Sequence, residues 1–501
     1  MNRLLSLLPL LPLAVQGQDA VTAARAYREA HGATILAHYR DLLAIPNVAN
    51  DSVNIRRNAA ELVRLLSAHG VVARQITRPG APPLVYGRLD VPGATRTIGI
   101  YVHYDGQPAG TGNWVTPPWE PALYTRALHQ GGTPRAWPAA GEPIDPDWRI
   151  YARSASDDKA PFAALFPALS ALRNARIAPT SNLVFLFEGE EEAGSASLGP
   201  YFTDHRDLFD GIDLWLILDG PIHQSGRPQL VFGVRGVSSV EVTVYGPTRP
   251  LHSGHYGNWA PVPGRLLSQL LATMWDDDGR VTINGFYDDV IPLDPVAREA
   301  LDRLPDQDAA LRASLGLVET EGIGRIEARL LEPALTVLGM RSADVGTEAR
   351  NVIPIDATAT LGLRLVAGND PERMQSLVEA HIQAQGYHLV RSAPDSLTRE
   401  RYPRIARVTR GDGYRAARTP VNHPAAAPVI AAAHRVAGND LLIVPGLGGS
   451  LPLYLFTDML GKPTIIVPIA NADNNQHAEN ENVRIGNLWY GIELVAALLT
   501  M

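Results

Sequence analysis

The chain has no cysteine. Disulfides, thiolate metal ligands, a cysteine nucleophile and lipidation at cysteine are therefore excluded. Any metal site must be built from histidine and carboxylates. Long apolar runs are also missing: beyond the N-terminus no stretch reaches the ~20 residues that a helix needs to span a bilayer. Nor is there an excess of positive charge, with 44 basic residues against 52 acidic and a formal net charge of −8. That balance suits solubility and argues against a nucleic-acid partner, which would want a basic field. There is no internal repeat and no low-complexity tract.

What is present is enough for a packed interior. Apolar residues make up 46% of 501, and a chain of this length divides most naturally into two domains. The first 17 residues differ from the rest. Arg3 gives a positive start, Leu4 to Val15 is nearly all apolar, and Val15-Gln16-Gly17 offers small residues before Gln18. These are the parts of a secretory signal over residues 1–17. The run is too short for a permanent anchor, so the expectation is a secreted or periplasmic protein without a stable membrane anchor.

Two helical stretches follow, Thr22 to Leu43 and Ala59 to His69, with Gly70 as a stop. Four short apolar runs then end at or lead to polar residues. Thr97 to Val102 ends at His103, Asn182 to Phe187 at Glu188, and Leu214 to Leu218 at Asp219; Thr464 to Val467 leads toward His477. Runs of this kind suit strands buried on both faces of a sheet that helices cover. Helical stretches such as Pro161 to Leu172 lie between them, so the class is α/β, a mixed sheet with helices on both faces. The middle of the chain changes character: Ser239 to Val244 and Thr358 to Leu365 alternate apolar and polar, as in a sheet with one wet face. Asp370-Pro371-Glu372 opens a helix. Residues 237–418 are read as an inserted α+β domain, and residues 18–236 and 419–501 as the domain it interrupts. Asp276-Asp277-Asp278 reads as a solvated loop, because its spacing is wrong for calcium.

In such sheets ligands collect beyond the carboxyl ends of the strands. His103, Asp157, Glu192, Asp219 and His477 are the metal-ligand candidates in such positions. Asp105 stands two residues past His103, where a carboxylate could orient a ligating imidazole. Asp157 or Asp158 could instead cap the helix that follows. Glu188 to Glu192 stacks acids after a buried strand, which is costly unless a cation sits among them.

The ordered segments HYDGQP, RSASDDKAP, EGEEEAGS, LILDGP, HSGHYG and QHAENE together resemble the di-zinc metallopeptidases that include carnosinases, bacterial dipeptidases, aminoacylases and glutamate carboxypeptidases. The resemblance runs from His103 to Glu481. It implies Asp157 as a carboxylate bridging two zinc ions, with His103 and Asp219 on one and Glu192 and His477 on the other; manganese or cobalt would also suit oxygen and nitrogen ligands. It implies Glu191 as general base and Asp105 as the partner of His103. The insertion would be a lid and dimerisation domain, so a homodimer is expected. From that lid His252 would polarise the substrate carbonyl, Arg364 would bind the substrate's terminal carboxylate, and Asn351 would lie near the active site. Gly449 and Ser450 would hold the same end of the substrate. The chain departs from the family where Ser154 and Ala160 replace glycines and Gln476 replaces a small residue before His477. A lid of about 180 residues leans toward the carnosinase and dipeptidase branch. The expected function is hydrolysis of dipeptides, or trimming of a C-terminal residue from short peptides. An N-acyl-amino-acid deacylase with the same metals is the alternative, and a non-catalytic peptide-binding protein the third reading.

Overall fold

The computed structural model describes residues 19–501; the signal expected over residues 1–17 lies outside the described residues. The helix Ala20–Leu43 opens on Asp19, whose carboxylate accepts the Thr22 N–H. The next helix, Ser52–Ala68, begins seven residues before the expected Ala59. The reason is a cap: Asp51 accepts the Asn54 N–H at 3.1 Å, which favours an earlier start than the apolar pattern alone suggests. Gly70 follows at φ 80°, a left-handed stop that glycine adopts without cost.

The main sheet has eight strands in the order Val72–Ile76, Leu84–Leu89, Asn182–Glu188, Thr97–His103, Leu214–Ile217, Thr464–Ile466, Gln229–Val231 and Leu442–Val444. Asn182–Glu188, Thr97–His103, Leu214–Ile217 and Thr464–Ile466 run parallel to their neighbours in that series, and the pairs on either side of it are antiparallel. The register sets His103 opposite Glu188. Every residue of Thr97–His103 is buried, as the uninterrupted apolar run requires. One face of the sheet shares a core with Ala20–Leu43, Ala160–Ala175 and the C-terminal helix Ile485–Leu499. The other packs on Tyr201, Phe202, Phe209 and Phe456. Ile485–Leu499 is buried on nearly all sides, which anchors the end of the chain in the centre of this domain. Among the described residues no helix is long and apolar enough to cross a membrane.

A five-stranded sheet forms from Ala334–Arg341, Asp356–Leu365, Gly236–Tyr245, Ile405–Arg410 and His388–Val390. In Asp356–Leu365 buried and more exposed residues alternate, the period-two pattern of a sheet with one covered face. The helices Pro263–Ala272 and Pro371–Ala384 pack on that face over Val240, Val242, Val244, Leu361 and Leu363. Asp370 caps the second helix by accepting the Arg373 N–H. The chain passes between the two sheets twice, and Gly233–Val234 and Ala417–Arg418 pair there as a short antiparallel ladder. Both sheets with their helices make the architecture α/β.

Candidate metal centre

The loops that leave the carboxyl ends of the parallel strands converge. His103 is the last residue of its strand, Asp219 follows Leu214–Ile217 within two residues, and Glu191 and Glu192 form a single turn just past Asn182–Glu188. His103 Nε2 lies 3.0 Å from Asp157 Oδ1 and 4.0 Å from Asp219 Oδ2. His477 Nε2 lies 3.0 Å from Asp157 Oδ2 and 3.2 Å from Glu192 Oε2. The two oxygens of Asp157 therefore each face a different imidazole. Around that carboxylate two donor sets form: His103, Asp157 and Asp219, and Asp157, Glu192 and His477. Asp157 does not cap the helix Ala160–Ala175. The N-cap position is Lys159, with no side-chain hydrogen bond to the first turn.

The charges in this pocket do not balance. Among the described residues no lysine or arginine forms an ion pair with Asp157, Asp158, Asp219, Glu191 or Glu192. Among the described residues neither carboxylate oxygen of the buried Asp158 has a hydrogen-bond partner. Burial, with Asp157 and Glu192 adding repulsion, pushes Asp219 up to about 7. Burial also raises Glu191 far above the carboxylate range, with Asp219, Glu192 and Glu188 contributing. Burial alone would lower His103, but hydrogen bonds to Asp105 and Asp157 raise it strongly. Hydrogen bonds to Asp157 and Glu192 raise His477 to about 10. Protons are thus held where positive charge is wanted. A donor set of imidazole nitrogens and carboxylate oxygens, with excess negative charge, fits divalent cations such as zinc.

Asp105 lies beyond the end of its strand, so strand geometry does not place it beside His103. The chain turns instead. His103 Nδ1 stands 3.2 Å from the Asp105 backbone oxygen and 3.4 Å from its Oδ1. The Asp105 carboxylate also accepts the N–H groups of Glu191 and Glu192, each at 3.1 Å. Gln107 donates to Glu192 Oε2 at 2.9 Å.

Two residues with structural claims on this site were passed over by the sequence reading. Glu481 is wholly buried and accepts five hydrogen bonds from residues 153–157. Lys159, also wholly buried, donates to the backbone oxygens of Leu42 and Ile45 at 2.9 and 2.8 Å. It ties the end of the first helix to the Asp157 loop, and burial lowers its pKa well below the usual lysine range. A signal for it existed. The chain has 44 lysines and arginines together, of which only Lys159 and Lys462 are lysines.

The expected substrate-binding residues fall into two groups. Arg364, on Asp356–Leu365, donates to Ser450 Oγ at 2.8 Å, so the five-stranded sheet and the loop beyond Leu442–Val444 meet there. Gly449 adjoins this contact and accepts the Arg235 N–H at 3.0 Å. His252 and Asn351 lie apart from it and are exposed. His252 pairs with Val352, and Asn351 accepts the Ser253 N–H through its backbone oxygen. Among the described residues neither side chain hydrogen-bonds to the five metal-ligand candidates.

Comparison with known proteins bears on this arrangement. Residues 99–501 match the model of peptidase family M20/M25/M40. The Cys-Gly metallodipeptidase of Candida albicans is 26% identical over 91% of this chain and 92% of its own. The human Beta-Ala-His dipeptidase is 25% identical over 83% of this chain and 76% of its own. Among solved structures, an M20 family metallo-carboxypeptidase from Sulfolobus solfataricus superimposes with a TM-score of 0.73 at 27% identity, covering 93% of this chain and 98% of that one. These findings correct one expectation. The secreted or periplasmic location rested on the composition of residues 1–17 alone, and the relatives that match most of the chain, among them the Cys-Gly metallodipeptidases of three yeasts, speak against it. A short leucine- and proline-rich start satisfies the composition of a signal without fixing a destination.

Proposed function

Because the chain belongs to peptidase family M20/M25/M40, and is therefore a peptidase, we propose that it is a two-metal dipeptidase. Its reaction is hydrolysis of the amide bond of dipeptides, or of the last bond of short peptides. The observation that carries this reading is Asp157, whose two oxygens each stand 3.0 Å from a different imidazole. A carboxylate so placed could be shared by two cations.

His103, Asp157 and Asp219 would hold one cation, and Asp157, Glu192 and His477 the other, with zinc favoured and manganese or cobalt also suited to the donors. Two divalent cations bound there supply Lewis acidity to a carbonyl and make a nearby water a stronger acid. The side chains do the rest. Glu191 takes the proton from the attacking water and returns it to the leaving amine; it stands next to the ligand candidate Glu192 and outside both donor sets. Asp105 holds the His103 imidazole in one orientation. Residues 237–418 act as the lid. Arg364 and Ser450 grip the substrate's free carboxylate, for which a guanidinium fork is the suited partner, with Gly449 beside it. His252 steadies the developing oxyanion.

His252 is exposed, away from the metal-ligand candidates of its own chain, which favours a homodimer in which it serves the neighbouring site. Exposed Leu338 and Met340 on the edge strand Ala334–Arg341 support the lid as the dimer contact, because an uncovered apolar edge invites pairing. Sedimentation of the purified chain reads the oligomeric state.

The function is tested by incubating the chain with a library of free dipeptides, with and without chelator, while counting metal per chain. Two metals per chain and chelator-sensitive cleavage are expected. Cleavage of N-acyl amino acids alone would move the chain to the deacylases. Peptide binding without metal or turnover would leave it a binding protein.

A further inference from the structure

We infer that Glu481 is a positioning residue that sets the shared carboxylate of Asp157 between the two cation positions; the inference rests on the two-metal reading above. Glu481 Oε1 accepts the backbone N–H groups of Ser156 and Asp157, each at 2.9 Å, and the Ser156 hydroxyl at 2.8 Å. Its Oε2 accepts the Ser154 N–H and Arg153 Nη1, each at 2.9 Å. An ionised carboxylate is an acceptor with about four lone-pair sites, so this one is saturated. Three N–H groups from one turn can converge on it because the chain reverses at Ser154, which stands at φ 60°. Concavities of successive N–H groups are anion sites, and here the anion is supplied from a distant part of the chain.

The origin of that anion gives the arrangement its meaning. Glu481 follows His477 by four residues and stands just before the strand Asn482–Arg484, which pairs with Arg149–Tyr151. The ladder brings it to the Asp157 loop, where its backbone oxygen accepts the Ala152 N–H. One side chain thereby joins the segment that delivers His477 to the segment that delivers Asp157. The tie ends on the amide of Asp157 itself, while among the described residues the only side chains bonded to the Asp157 carboxylate are the two imidazoles. His477 is exposed and stands at φ 62°, and its imidazole meets Asp157 and Glu192 at 3.0 and 3.2 Å, so its position depends on where those carboxylates stand. Arg153, whose guanidinium lies over Trp114 at 5.0 Å, neutralises Glu481 without reaching Asp157.

The test is metal affinity. Metal-stripped parent chain and Glu481→Gln are titrated with zinc against a chromophoric chelator and with cobalt followed by its visible spectrum. The amide of glutamine turns a donor toward donors. Partners that orient ligands are worth about 10- to 100-fold in metal affinity, and a loss of that size is expected for at least one equivalent, with a changed cobalt spectrum. Turnover at fixed metal should fall with KM unchanged and recover as metal is raised. Both equivalents binding within twofold of the parent, with superposing spectra, overturns the inference while leaving the two-metal reading intact. A parent chain that binds fewer than two metals overturns the reading itself. If Glu481→Gln does not fold, Ser156→Ala decides. It removes one of the five donors, so about two- to tenfold weaker binding is expected, and unchanged affinity sinks the proposal.

Discussion

His103 Nδ1 lies 3.4 Å from Asp105 Oδ1, and the same carboxylate receives the N–H groups of Glu191 and Glu192. Asp105 thus reaches an imidazole of one donor set and the backbone of a ligand of the other. Removing its charge should disturb both. Asp105→Asn is expected to weaken metal binding about 10- to 100-fold and to lower kcat/KM alongside it. Competition with a chelator reads the first effect, and an unchanged affinity would free Asp105 of this role.

Glu191 should behave differently. It is outside both donor sets, so Glu191→Gln is expected to keep the metal content of the parent. Loss of a positioned acid–base group costs about 10²- to 10⁴-fold in rate. Metal analysis together with kcat separates the two residues. A Glu191→Gln chain with full turnover would remove Glu191 from the proton path.

The contrast shows how far the sequence could be read. His103, Asp219 and the acids around Glu192 were legible because apolar runs buried on both faces stop at or just before them. Asp157 was open between cap and ligand, since the same residue type before a helix serves either use. Only the fold shows that the first turn is left uncapped and that both oxygens face imidazoles. His477 sits in an exposed polar loop some way past the run Thr464 to Val467, so that run only leads toward it and the family resemblance supplies its role. Glu481 stayed hidden for a physical reason: three of its five donors are backbone N–H groups, which no side-chain pattern records.

The pH dependence of the metal-stripped chain follows from the same pocket. Asp219 is raised to about 7 by burial and by Asp157 and Glu192. A carboxyl raised in the folded state keeps a proton that the unfolded chain releases near pH ~4, so stability is lost as pH rises from ~4 toward 7. His477 is raised to about 10. Its contribution is complete below about 6.5 and is lost as pH climbs toward 10. Asp157 is held below the usual carboxylate range, against burial, by His103 and His477, so its stabilisation fades only under strong acid. Between pH 5 and 8.5 the shifts of Asp219 and His477 act in one direction, joined by Glu188, which burial raises to about 8, and outnumber the opposite contribution of the lowered Lys159. The Tm of the stripped chain should fall across this range. Metal displaces the protons and binds better as they leave, so the gap between loaded and stripped Tm should widen. A stripped Tm that rises with pH contradicts this account.

Arg364 and Ser450 meet at 2.8 Å. If their task is the substrate's carboxylate, Arg364→Met should raise KM for free dipeptides. A hydrogen bond to a charged group is worth about 1.5–3 kcal/mol, which corresponds to roughly 10- to 150-fold in kcat/KM. Arg364→Lys should recover only part of it, because an ammonium lacks the fork. Dipeptides amidated at the C-terminus should be poor substrates for the parent and no worse for Arg364→Met. Equal losses on both substrates would place the arginine elsewhere.

Ser154 occupies a left-handed position, φ 60°, at which the family usually has glycine. A non-glycine residue there costs about 1 kcal/mol. The serine recovers part of this through Asn47, which donates to its Oγ at 3.0 Å. That hydroxyl fits only because residue 106 is glycine: a Cβ at Gly106 would come within 2.1 Å of Ser154 Oγ. The two positions should therefore be interdependent. Gly106→Ala alone is expected to lower Tm and loosen metal binding, because the displaced hydroxyl moves the turn that presents Asp157. Ser154→Gly alone should be close to neutral, trading a hydrogen bond for relief of strain. The double variant Gly106→Ala, Ser154→Gly should recover much of what the first loses, since the obstructing hydroxyl is gone. Melting curves and zinc titrations of the three chains measure the interaction directly. Strictly additive effects would show that the turn does not depend on this pair.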